Sequence, residues 1–173
     1  MDIFNPDGSL ALTPPSSSSY HDFDFLIGHW DVHNRALKSR LTGSDDWKEF
    51  EFTNETRMIL NGFGNVDESG STMRKFDPAT RLWTIFSAYP EATTVDTMQG
   101  FFEDGIGHFY SQETFEGKPI LTQFEWDATN PKKPVWKQAM SADNGMTWEW
   151  NWTMTFMRRQ DRAETFLFTA SSS

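Results

Sequence analysis

Cysteine is absent from the 173-residue chain. Its absence excludes a disulfide framework, a thiolate zinc site and a cysteine nucleophile. Basic residues are scarce as well: 15 Lys and Arg stand against 25 Asp and Glu, a formal net charge of −10. That balance argues against nucleic acid and against an anionic membrane as partners. No run approaches the roughly 18 consecutive apolar residues of a membrane helix. Residues 1–19 lack the basic and apolar regions of a signal peptide, so the expected location is cytoplasmic. There is no glycine-rich phosphate loop after a strand and no G-x-S-x-G elbow. Nor is there a basic aromatic platform for single-stranded nucleic acid. No cofactor is therefore expected.

Large aromatics are abundant. Sixteen Phe and 8 Trp occur in a chain that is only 37% hydrophobic, so few, bulky side chains build the core. The length fits one domain. Pro14-Pro15 and Ser16 to Ser19 make 1–19 a flexible leader. A single domain is expected over 20–168, with 169–173 a disordered tail.

Within the domain, residues 22–28 read as a short helix stopped by Gly28. Nearly everything after it alternates as strands do. Candidate strands span 30–41, 47–60, 72–76, 82–88, 94–102, 108–115, 120–126, 135–140 and 147–157, separated by turn signals such as Asp77-Pro78 and Asn144-Gly145. Asn61-Gly62-Phe63-Gly64 is read as a break. No long helical period intervenes, which disfavours a parallel α/β sheet. A long meander must close to hide its edges. The expected fold is all-β: one antiparallel up-and-down barrel of about eight to ten strands with a short N-terminal helix, enclosing side chains plus one small ligand.

Phe25-Leu26-Ile27-Gly28-His29-Trp30 places a G-x-W at the start of the first strand. This resembles the entry of calycin barrels: lipocalins, fatty-acid-binding proteins and the nitrobindin-like group. In lipocalins that Trp plugs the closed end. The segments 113–119, 136–141 and 145–152 are similar to a bacterial family of small calycin-like domains of unassigned function, over about residues 23–158. The resemblance implies a barrel with a ligand cavity and no particular reaction. Haem-binding nitrobindin-like members use a late His as axial ligand. This chain departs from them, having no His after His108.

Three groups of residues could carry chemistry. His29, Asp31, His33 and Arg35 share one face of the first strand, opposite Trp30, Val32 and Ala36. A divalent metal is one reading of that face; a partly solvated face on which Asp31 fixes a neighbouring His is the preferred one. If the face points inward, His33 is a general acid or base and Arg35 holds an anionic group. On the last strand, Trp148, Trp150, Trp152, Met154 and Phe156 alternate with Thr147, Glu149, Asn151, Thr153 and Thr155. An even hairpin loop puts Gln138 beside Glu149 and Asn151, flanked by Trp136 and Met140. An odd loop puts Gln138 on the Trp face, and sequence does not choose between them. Glu113 and Gln123 each alternate with aromatic neighbours; a buried Glu113 would be a raised-pKa acid.

Two functional readings follow. The first is a cofactor-independent enzyme doing acid–base chemistry (isomerisation, elimination, dehydration or cyclisation) on a hydrophobic or aromatic metabolite. His33, Glu149 and Glu113 would be its catalytic groups, and Arg35, Trp136, Gln138, Met140, Asn151 and Gln123 would bind substrate. The second is a non-catalytic carrier of a hydrophobic ligand. The enzyme is preferred. Haem held by His29, His33 or His108 ranks behind both. No metal is assigned. A homodimer is expected if many aromatics prove exposed.

Overall fold

The computed structural model describes residues 3–68 and 71–159. The tail at 169–173 and the end of the expected domain, 160–168, lie outside the described residues. A 3-10 turn at Asp24–Leu26 precedes ten strands: β1 (Gly28–Leu37), β2 (Trp47–Ile59), β3 (Gly64–Asp67), β4 (Thr72–Asp77) and β5 (Leu82–Ser87), then β6 (Asp96–Glu103), β7 (Ile106–Phe115), β8 (Lys118–Asp127), β9 (Val135–Ser141) and β10 (Glu149–Arg158). Each pairs antiparallel with its sequence neighbours, and β1 closes the barrel on β10. Closure removes the edges a meander would otherwise expose. The first strand ends at Leu37 rather than 41, since Leu41 has a positive φ of 57° that no strand accommodates. No helix among the described residues is long and apolar enough to cross a membrane.

The end of the barrel at which β1 begins is plugged. Phe23 and Leu26, from the 3-10 turn and its lead-in, are buried with Trp30, Phe76, Trp83, Phe102, Phe109 and Trp126. Phe23 meets the rings of Trp83 and Phe102 edge-on at 4.9 and 4.8 Å, the geometry the ring quadrupoles favour. Trp30 has no exposed surface. Its indole N–H donates to the Leu26 carbonyl at 2.8 Å, and the Arg158 guanidinium lies 4.2 Å from its ring centroid. Arg158 also donates to the carbonyls of Phe25 and Ile27, stitching the last strand to the entrance of the first. Gly28 must be glycine here: its φ is +131°, and a Cβ would stand 2.6 Å from Arg158 Nη1. Gly100 is equally constrained, because a Cβ there would fall 1.8 Å from the His108 carbonyl oxygen across the β6–β7 ladder.

The described part of the leader makes hydrogen bonds within itself and to the barrel. Phe4 bridges Leu10. Gln112 on β7 donates to the Gly8 carbonyl, Arg81 donates to that of Pro15, and the Ser18 hydroxyl donates to the Arg81 carbonyl. Polar groups that composition alone assigns to solvent thus find partners on the barrel.

Loops at the opposite end carry their own internal bonds. In the β9–β10 loop the Asp143 carboxylate accepts from the Thr147 hydroxyl at 2.5 Å, the Thr147 N–H at 2.8 Å and the Ser141 hydroxyl at 2.8 Å. These donors, Thr147 foremost, pull its pKa from the ordinary 3.8 to about 2. A depressed carboxylate pKa stabilises the loop above the unfolded value and loses that contribution as pH falls through the folded one. The loop should therefore loosen between about pH 4 and 2. The carboxyl carbon of Asp143, followed by NMR, should titrate near 2; a midpoint near 4 would contradict the assignment.

Candidate functional site

Directly opposed residues of neighbouring strands share a face, so the register fixes the barrel's interior. On β1 the inward set is Trp30, Val32, Asn34 and Ala36, all buried. Across from them β2 turns in Asn54, Phe52 and Phe50. Arg74 on β4 opposes Asn65 and Ile85. Trp126, Phe124 and Thr122 on β8 face Trp136, Gln138 and Met140 on β9.

A cavity of about 150 Å³ lies among these side chains. Its apolar wall is Phe52, Ile85, Phe124, Trp126, Trp136, Trp152, Met154 and Phe156. Asn54, Asp67, Ser71, Thr72, Arg74, Ser87, Tyr89 and Gln138 are the polar part. Trp136 and Trp152 meet edge-on at 5.1 Å, and Phe124 meets Trp136 at 4.8 Å. A void of this size, if apolar, holds a benzene-sized molecule.

The cavity opens on one flank. β3 is four residues long and pairs with β2 only from Thr56 to Ile59. Among the described residues, no strand covers the other edge of residues 47–54 of β2. Phe50 and Phe52 are accordingly 39% and 41% exposed although their side chains face inward. Tyr89 stands on the same opening. Burial, reinforced by the charges of Asp96 and Glu113 and opposed by Arg40, raises its pKa above 10.0 and keeps the hydroxyl neutral.

Two polar clusters are built into the wall. The first is ionic. Arg74 donates from Nη1 to Asp67 Oδ1 at 3.0 Å and from Nη2 to Asp67 Oδ2 at 3.3 Å. Nη1 also reaches Asn65 Oδ1 at 2.9 Å, and the Thr56 hydroxyl donates to Asp67 at 2.9 Å. All four residues are buried. The guanidinium lies 5.5 and 5.8 Å from the ring centroids of Phe23 and Trp126.

The second cluster is made by a β-bulge. Glu149 opposes Met140 and Trp150 opposes Ala139, but Trp152 then opposes Gln138, leaving Asn151 as the extra residue. The bulge turns both Asn151 and Trp152 inward. Asn151 has no exposed surface, while Trp150 is thrown outward and 42% exposed. Gln138 Nε2 donates to Asn151 Oδ1 at 2.9 Å, and Asn151 Nδ2 approaches Glu149 Oε1 at 3.4 Å. Beside them Trp152 Nε1 donates to Asn34 Oδ1 at 2.9 Å.

The sequence-derived residues fall into distinct places. Gln138, Asn151 and Glu149 come together, as the even-loop register requires. Trp152 nevertheless opposes Gln138, as the odd-loop register requires. The bulge satisfies both, and it splits the aromatic face expected on the last strand. Trp136 and Gln138 line the cavity, whereas Met140 is buried inside the barrel but does not. Glu149 is tethered: both its oxygens accept from the Leu41 N–H, at 2.9 and 3.1 Å, fastening the β1–β2 loop. Glu113 accepts from the hydroxyls of Ser111 and Thr122, at 3.0 and 2.7 Å, away from the cavity wall. Gln123 is buried on the outer side of β8, opposite Tyr110 and Ala139.

His33 and Arg35 point outward, on the partly solvated face preferred from the sequence, which corrects the catalytic and anion-holding roles that required an inward face. Trp30, Val32 and Ala36 need burial more than four hydrophilic side chains do. His33 lies between Glu49 and Glu51, at 3.2 and 3.6 Å, and Arg35 stacks 3.9 Å above Trp47. The haem candidates are also outside: His29 faces Glu55 and His108 faces Glu125. Among the described residues, no three His, Asp or Glu side chains are grouped so as to hold a metal ion.

Sequence reasoning passed over Asn34, Asn54, Asp67, Arg74 and Tyr89. Arg74 left a signal, since it shares its strand face with Phe76. Asn34 left one too, standing on the face of Trp30 and Val32.

No protein-family model matches this chain, and no curated protein matches it.

Proposed function

We propose that this is a calycin-like barrel that binds a small, flat, mainly apolar molecule in its interior, as a carrier or sensor. The observation that carries the reading is the cavity itself: about 150 Å³ walled by Trp126, Trp136, Trp152, Phe124 and Phe52, with a few polar groups at fixed positions. Such composition is characteristic of ligand sites. An exposed aromatic flank at Phe50 and Phe52 gives the molecule an apolar way in. Binding is favoured over acid–base turnover because Glu149 and Glu113 are engaged by the protein's own donors and His33 is on the outside. Haem is disfavoured because His29, His33 and His108 all face acidic side chains outside the barrel.

The test is a titration with single-ring aromatics, followed through the indole N–H signals of Trp136 and Trp152. Both should shift saturably. In Met154→Trp, which fills the cavity, the response should vanish while the folded spectrum persists. No saturable shift with any of the compounds would refute the proposal.

A further inference from the structure

We infer that the ligand is an uncharged planar molecule bearing one hydrogen-bond acceptor, and that the Nε–H of Arg74 receives it. The inference rests on the binding proposal above and narrows it to a chemical class.

Arginine has five N–H donors in a fixed fork. In Arg74 the two terminal nitrogens grip Asp67, and one of them also serves Asn65. Nε takes no part in that pair. It is buried and has no hydrogen-bond partner among the described residues. Arg74 as a whole is 5% exposed and forms part of the cavity wall. A buried, unpaired donor on a charged group costs more than a neutral one, and an acceptor supplied from the cavity recovers that cost.

Charge then decides which acceptor. Among the described residues, Asp67 and Arg74 are the only charged side chains on the cavity wall, and their charges are opposite. A carboxylate entering this space would have no counter-charge of its own and would approach the Asp67 carboxylate. Burying an uncompensated ion is far more costly than burying a paired one. A carbonyl, ether or ring nitrogen satisfies Nε without that penalty. The aromatic wall selects a flat body, and the volume limits it to about one six-membered ring with a small substituent.

The experiment compares three probes of nearly equal size by calorimetry at pH 7: acetophenone, ethylbenzene and benzoate. In a purely apolar cavity the more hydrophobic ethylbenzene binds at least as tightly as acetophenone. Here acetophenone should bind about tenfold tighter than either of the others, the effect of one good hydrogen bond. Acetophenone, and not ethylbenzene, should also shift the Arg74 Nε–H resonance. In Asp67→Leu/Arg74→Met, where the ion pair is replaced by apolar side chains, acetophenone should lose its advantage while ethylbenzene still binds. Equal affinities in the wild type, preference for benzoate, or an advantage that survives in the double variant would each overturn this assignment and leave the cavity proposal standing. Failure of all three probes to bind would overturn both.

Discussion

Arg74→Met alone should destabilise the barrel by about 3–5 kcal/mol, whereas Asp67→Leu/Arg74→Met should cost far less. In the native protein the buried Asp67 carboxylate has two contacts from Arg74 and one from the Thr56 hydroxyl. Removing the arginine leaves that carboxylate with a single neutral donor among the described residues, in a space walled by Trp126 and Phe156. A lone buried charge cannot be offset by one hydroxyl. The double variant has no charge to desolvate, and the replacements approximate the lost volume. Urea denaturation of the wild type, both single variants and the double variant at pH 7 closes the cycle. Typical domains have only 5–15 kcal/mol in total, so the single variant should show a much lower midpoint. A single variant within about 1 kcal/mol of wild type would mean that water reaches Asp67 freely, and the low-dielectric description of the cavity floor would be wrong.

Trp30→Ala is the second large effect, with an expected loss of about 3–5 kcal/mol. The ring sits beneath Arg158 and against Phe156, at 4.2 and 5.8 Å between the relevant centres. Truncation removes this packing and the bond to Leu26, and leaves Arg158 without the surface it covers. Trp30→Phe keeps most of the packing and loses the N–H donor, so about 1–2 kcal/mol is expected. Arg158→Met loses two charge-assisted bonds to Phe25 and Ile27 and should fall between them, at about 1.5–3 kcal/mol. The same denaturation assay ranks the three. If Trp30→Ala proves no worse than Trp30→Phe, the plug is held by Phe23 and its neighbours, and the G-x-W is dispensable.

The strand meander and its closure were legible because alternation and turn chemistry are local properties. Nine candidate strands correspond to nine of the ten observed, with ends differing by a few residues. β3 was missed for a local reason: four residues following Asn61 and Gly62 are too few to display a period. Its loss hid Asp67, and with it the partner of Arg74. Which face of β1 turns inward was decidable from burial preference, since Trp30 and Val32 outweigh the histidines. The bulge was not decidable. No glycine or proline marks residues 149–152, and Asn151 is identified only by the tertiary pairing that leaves it without an opposite number. Each register left open for Gln138 is therefore met in part, and Trp150 and Trp152, expected on one face, lie on opposite sides of the strand.

That extra residue has a genetic corollary. Because Asn151 is one position more than the ladder with β9 accommodates, losing one residue at this point leaves every later pairing of the strand in place. Deleting the Asn151 codon makes the pairs Trp150 with Ala139 and Trp152 with Gln138 consecutive, so Trp152, Met154 and Phe156 keep their inward faces. Substitutions elsewhere on the wall change the cavity by a few atoms at a time. A one-codon deletion here removes the Asn151 carboxamide and its bond to Gln138, so this short stretch absorbs a change of length that would reverse the facing of a regular strand.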